Sequence, residues 1–307
     1  MSTTTSQNTE VRYRDRQTDS IVTETIFAEN TLRWFYENPL GFTVFNYALN
    51  NPAFCWLYGK LQELPITRQK IPEFVAQYGI NLDEVELPWQ DYPNFNAFFS
   101  RRLKKEARPF ATNPDVFCAP GDGKVLVFPK LTAETKIPIK GASIAIASLL
   151  DSTTAAQTYQ GGTALIVRLA PYDYHRFHFP DDGEANPARQ IKGEYHSVNP
   201  IALAKVPDLF CRNKRAVTEF NSKHFGRIAY IEIGAITVAS IVQTYTPGVV
   251  KKGQEKGYFQ YGGSTVVLLF EPGAIAFDDD LIRDSVNNLE VQVKAGSQIG
   301  RRSLISA

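Results

Sequence analysis

Ser264 lies in Tyr261-Gly-Gly-Ser-Thr-Val266, where two glycines join a strand-like run (Tyr258 to Tyr261) to an apolar run ending at Phe270. Adjacent glycines admit backbone conformations closed to other residues, and a serine set there is either a turn residue or a nucleophile. A serine hydroxyl becomes a nucleophile only when a neighbouring base removes its proton and a carboxylate fixes that base. The chain offers both. Its four histidines are His175, His178, His196 and His224, and the first two stand in Asp173-Tyr-His-Arg-Phe-His178. Asp122 occupies a tight turn between glycines in Ala119-Pro-Gly-Asp-Gly123. Asp122, His178 and Ser264 therefore complete an acid–base–nucleophile set. Asp173, His175 and His178 are also three donors for a metal hydrolase, but no further nitrogen or sulfur ligand stands near them, and no metal is expected.

Composition narrows the class of molecule. With 307 residues, 43% of them apolar, the chain can bury the core of one large domain, or of one domain with an appended subdomain. Its 33 basic and 32 acidic residues leave a net charge of +1, without the basic excess of a nucleic-acid binder. Cys55, Cys118 and Cys211 are odd in number and widely spaced, which fits a reducing compartment. Met1 to Glu10 lacks the apolar stretch of a secretory signal. The long uncharged run Ile233 to Val250 contains Thr237, Gln243 and Pro247, so it reads as two strands and a turn, and no transmembrane helix is expected.

The elements that must position these groups fall into two textures. Residues 1–20 are polar and read as a loose terminus. Residues 21–65 are helical in pattern and rich in Phe, Tyr and Trp, with interruptions at Pro39-Leu-Gly41 and Asn50-Asn-Pro52 that divide them into three short helices. Such helices either pack on a core or lay their aromatic rings into a bilayer headgroup region, and both readings stand. Ile71 to Tyr78 and Phe95 to Leu103 read as helices. The basic run Arg101 to Arg108 reads as a solvated face or as a surface for anionic lipid headgroups. From Val116 onward, short apolar runs alternate with Gly, Pro and Asp turns, including Lys124–Phe128, Ala164–Leu169, Glu194–Val198, Ile236–Thr244, Ser264–Phe270 and Glu290–Val293. The fold class is α+β: a helical part, 1–110, on a mostly antiparallel β part, 111–307, with a barrel-sandwich-like region near Leu289 to Gly300.

The chain resembles the phosphatidylserine decarboxylases. The resemblance runs from about Asn94 to the C-terminus and rests on Phe95-Asn-Ala-Phe-Phe-Ser-Arg101, Ala119-Pro-Gly-Asp-Gly123, Ile139-Lys-Gly141, Asp173-Tyr-His-Arg-Phe-His178, Ser197-Val-Asn-Pro200, Arg212-Asn213 and Gly262-Gly-Ser-Thr265. One departure is Lys214, where the family often has an acidic residue. The resemblance implies self-processing: the Gly263–Ser264 bond breaks, giving a large chain 1–263 and a small chain 264–307 that stay associated. Asp122, His178 and Ser264 match the family's charge-relay positions. Ser264 becomes a covalent pyruvoyl group, which takes the substrate amine as a Schiff base and draws off the electrons released with CO2. His175 is then the residue that handles a proton during decarboxylation.

The implied partner is phosphatidylserine in a membrane, which the enzyme converts to phosphatidylethanolamine from the cytoplasmic face of the cell membrane as a peripheral protein. Oligomeric state is left open, a homodimer included. Two rival readings are decarboxylation of a free aromatic amino acid by the same chemistry and a non-catalytic barrel-sandwich binding module.

Overall fold

The computed structural model describes residues 10–132, 144–236, 240–262 and 264–303. Gly263, the segment Ile139–Gly141 and residues 237–239 of the expected strand Ile236–Thr244 lie outside these residues.

The fold is α+β and is organised by an eleven-stranded sheet. From one edge its order is Gly248–Val250, Gly183–Ala185, Arg215–Ser222, Gly226–Gly234, Ser264–Phe270, Thr163–Leu169, Gly123–Pro129, Glu290–Val293, Arg12–Asp15 and Ser20–Thr23, with Arg189–Ile191 also pairing Arg215–Ser222. All neighbours are antiparallel except Arg12–Asp15 and Glu290–Val293, which run parallel. The strand Ser264–Phe270 sits near the middle and is buried along its whole length. Its side chains alternate between two cores: Val266, Leu268 and Phe270 join one, Val267 and Leu269 the other. Burial on both faces explains why this run is continuously apolar.

Of the polar terminus expected to be loose, residues 1–9 lie outside the described residues, and residues 10–20 are ordered. Arg12–Asp15 and Ser20–Thr23 form a hairpin on the sheet edge, and Arg14 and Arg16 pair with Asp284, Asp278 and Asp280. Those partners lie more than 260 residues away in the chain, so the local pattern of charges gave no sign of them.

The helical layer follows the expected punctuation. Asn38 caps Pro39–Val44 and Asn51 caps Pro52–Gln62, each with proline in the first turn. Ile71–Tyr78 ends at Gly79, whose φ of 62° is the left-handed C-cap conformation. The helix expected over Phe95–Leu103 stops at Phe99, because Leu103 pairs with Val85 in extended conformation and Lys104 N–H donates to the Glu84 carbonyl. The expected strand Glu194–Val198 is a loop with a single bridge, Glu194 to Asn213.

Candidate active site

Ser264 opens its strand between Gly234 and Leu169 and has no exposed surface. Its hydroxyl lies 3.3 Å from His175 Nδ1. The other ring nitrogen, Nε2, lies 3.0 Å from the Ala170 carbonyl and 3.3 Å from that of Pro171. Carbonyl oxygens only accept, so Nε2 carries the proton and Nδ1 turns a lone pair toward the Ser264 hydroxyl. The imidazole is sealed in place. It stacks on Phe99 with ring centres 4.0 Å apart, and burial, aided by the charge of Arg101, pushes its pKa down to about 3. At neutral pH the ring is an uncharged base aimed at residue 264.

His178 faces elsewhere. Its Nδ1 donates to the Gly253 carbonyl at 3.0 Å, and its Nε2 meets the Tyr174 hydroxyl at 3.3 Å. Burial lowers its pKa as well. His178 ends the strand Arg176–His178, whereas His175 lies on the loop before it, so the two rings are positioned by different elements. Asp122 holds a bidentate pair with Arg108 at 2.6–3.2 Å and accepts the Ala295 amide at 2.8 Å. Among the described residues no hydrogen bond joins Asp122 to His178 or His178 to Ser264. The sequence set therefore has its histidines in different places: His175 touches Ser264, while Asp122 acts on His178 only through its field.

Asp173, His175 and His178 do not converge on one point. The Asp173 carboxylate binds Lys124 Nζ at 2.9 Å and the Ala170 amide at 2.7 Å, which ties the loop carrying His175 to the sheet. Among the described residues no group of three or more His, Cys, Asp or Glu is placed to hold a metal ion.

A cavity of about 310 Å³ reaches Tyr261, Gly262 and Leu169, the neighbours of Ser264 in sequence and in the sheet. Leu32, Phe35, Phe45 and Phe54 of the helical layer give it an apolar side; Arg168, Ser197 and Asn199 add polar groups. Gly262 has φ 136°, a conformation that favours glycine, at the turn into the strand.

Four residues of this site escaped the reading of the sequence: Arg101, Arg108, Tyr174 and Tyr261. Arg101 and Arg108 were hidden in a basic run that looked solvated, yet both turn inward, and only Lys104, Lys105 and Arg102 keep to the exterior with their neighbours. Tyr174 precedes His178 by four residues within the histidine motif, which was its available signal. Tyr261 is held by Phe95, Phe99 and Tyr58, so the aromatic helices reach to within three residues of Ser264.

Comparison with known proteins places the chain in a family. The family model for phosphatidylserine decarboxylase matches residues 95–301. A phosphatidylserine decarboxylase proenzyme of Clostridium novyi (strain NT) is 41% identical over 280 residues, 91% of this chain and 95% of that protein. Proteins of the same name from Clostridium botulinum (strain Kyoto / Type A2) and Chlamydia trachomatis serovar L2 are 39% and 41% identical, each over 95% of this chain. The Ser264 strand, the His175 loop and the helix at Phe95 all fall inside the matched region, and the chain belongs to the phosphatidylserine decarboxylase family, a family of carboxy-lyases.

Proposed function

We propose that the chain is a proenzyme that cuts itself before Ser264 and then decarboxylates phosphatidylserine with a pyruvoyl group made from that residue. The observation that carries this reading is the Ser264 hydroxyl, buried at a strand start, 3.3 Å from an imidazole lone pair and next to an apolar cavity. In the first reaction Ser264 Oγ attacks the Gly263 carbonyl carbon and the peptide C–N bond gives way to an ester. Elimination across Cα–Cβ frees the new carboxylate at Gly263 and leaves dehydroalanine. Water then releases ammonia and leaves a ketone at position 264.

The site fits that group. Residue 264 is the residue type from which it forms, His175 Nδ1 stands against it, and the adjacent Thr265 hydroxyl is buried without a partner. When present, a pyruvoyl carbonyl supplies an electron sink for the bond that loses CO2. The chain's own residues supply the remainder. His175, in contact with residue 264, accepts at Nδ1 a proton that the substrate ammonium gives up and returns it to the carbon that the carboxylate has left. Asp122 and His178 serve the earlier cleavage as relay, which requires Asp122 to exchange Arg108 for His178. A second reading, favoured by the 3.3 Å contact, gives the proton of the Ser264 hydroxyl to His175 as well.

The lipid substrate is supported by the helical layer. Its inner side lines the cavity, and nine of the fourteen exposed large apolar side chains lie between Trp34 and Ile66. A soluble amino acid needs neither feature. Among the described residues no helix is long and apolar enough to cross a membrane, so contact from the surface is the reading that fits. Release of CO2 from phosphatidylserine vesicles and from free tyrosine, phenylalanine and tryptophan tests the assignment. The expected result is release from the vesicles alone; release from a free aromatic amino acid alone overturns it.

A further inference from the structure

Arg101 is 4% exposed, and its Nε and Nη1 are buried with no hydrogen-bond partner. Among the described residues no carboxylate pairs with it. A guanidinium normally reaches this depth only with an acid beside it, because burying an unpaired charge costs several kcal/mol. Its one engaged nitrogen, Nη2, donates to the carbonyls of Tyr172 at 3.0 Å and Asp173 at 3.4 Å. These follow the Ala170 and Pro171 carbonyls that hold His175 Nε2. Four consecutive carbonyls of one loop are thus taken in turn by the imidazole and the guanidinium. The short helix Phe95–Phe99 serves both groups, with Phe99 beneath the His175 ring and Phe98 beneath the guanidinium at 5.2 Å. Arg176 fixes the far side by donating to the carbonyls of Ser100 and Arg101.

We propose that Arg101 is the positioning residue for His175: by holding the Tyr172 and Asp173 carbonyls and setting a buried positive charge near the loop, it keeps the imidazole in place with Nδ1 directed at residue 264. The inference rests on the reading of residue 264 as the reacting group. The groups that face His175 are consistent with it. Arg101 and Lys124 are the cations whose fields oppose its protonation; Asp173, on the same loop, is spent on Lys124; the Ser264 hydroxyl and Phe99 are uncharged. Removing a nearby positive charge favours the protonated ring, so the base is lost from the acid side and the working pH range narrows upward.

The test uses the full chain as wild type, Arg101→Gln and Arg101→Lys. Histidine-labelled protein gives a ring spectrum of four imidazoles, with His175 assigned by its loss in His175→Gln. CO2 release from phosphatidylserine vesicles is followed over the same pH range. We expect the wild-type His175 ring to stay neutral down to about pH 5 or below, and in Arg101→Gln to titrate about one pH unit or more higher, the acid limb of CO2 release moving with it. Arg101→Lys keeps the charge but loses the planar fork; its titration stays near wild type while turnover drops about tenfold. A folded Arg101→Gln whose His175 titrates as in wild type overturns the proposal. Should Arg101→Gln not fold, Arg101→Lys with wild-type turnover and an unaltered His175 tautomer overturns it. Failure of the wild type to cleave before Ser264 or to release CO2 counts against the reading of the site instead, and the ring titration still reports on Arg101.

Discussion

Only one of the two histidines in Asp173-Tyr-His-Arg-Phe-His178 touches Ser264, and their supports differ. His175, on the loop, is held by the Ala170 and Pro171 carbonyls and turns to the nucleophile, while His178, at the end of the strand Arg176–His178, turns to the Gly253 carbonyl. Separate duties for the two rings follow. His175→Ala should still yield two fragments while CO2 release falls by about 10²- to 10⁴-fold, the range typical of a lost general acid–base group. His178→Ala should slow the cut itself. Quantifying fragments on denaturing gels beside CO2 release separates these outcomes, and a His175→Ala chain that remains whole moves the first proton transfer to His175. The sequence singled out Asp122, His175, His178 and Ser264, because few imidazoles exist and each stands in a motif. Their contacts were not. The capture of Asp122 by Arg108 and Ala295 depends on chain segments that approach only in the folded state.

At the scale of elements, the central strand Ser264–Phe270 was legible to the residue, since an unbroken apolar run that begins with β-branched residues after two glycines has few other readings. The edge hairpin was not legible, because Arg12–Asp15 is charged and is ordered by partners near the other end of the chain. That edge also contributes to the site. Glu24, just beyond the hairpin, and Glu290 both grip Arg168, with contacts of 2.6–3.1 Å, and Arg168 lines the cavity. All three side chains are nearly inaccessible, so the guanidinium compensates two buried carboxylates at once. Arg168→Met removes the guanidinium from both of them and leaves Glu24 the Tyr172 hydroxyl at 3.2 Å. Denaturant unfolding of this variant in the uncut Ser264→Ala chain should show a loss of about 3–5 kcal/mol, the usual cost of breaking a buried pair from one side. A loss below about 1 kcal/mol would mean that the pairs contribute no more than surface salt bridges do.

For the whole molecule, the proposed cut falls at the start of a strand with seven register pairs on each side, which gives a physical reason for large and small chains to remain together. The helical layer places its apolar surplus outward at Leu40, Tyr47, Trp56, Leu57, Leu61 and Ile66. If this face meets lipid, Trp56→Ser with Leu61→Ser should weaken sedimentation with phosphatidylserine vesicles by about tenfold or more, since each large apolar side chain withdrawn from water contributes about 1.5–3 kcal/mol. Cleavage should be untouched, and undiminished vesicle binding would remove this face from the account. The aromatic content of these helices was plain in the sequence, but the split into an outer face and a cavity-lining face emerges only when Phe35, Phe45 and Phe54 pack inward. The central claim is that the Ser264 hydroxyl breaks its own chain and leaves a ketone behind. Intact mass of the purified wild type and of Ser264→Ala, each in denaturant, tests it most directly. The account predicts fragments 1–263 and 264–307 for the wild type, the smaller with a pyruvoyl terminus, and one unbroken chain for the variant; an active wild type of full mass, or a variant still cut after Gly263, would contradict it.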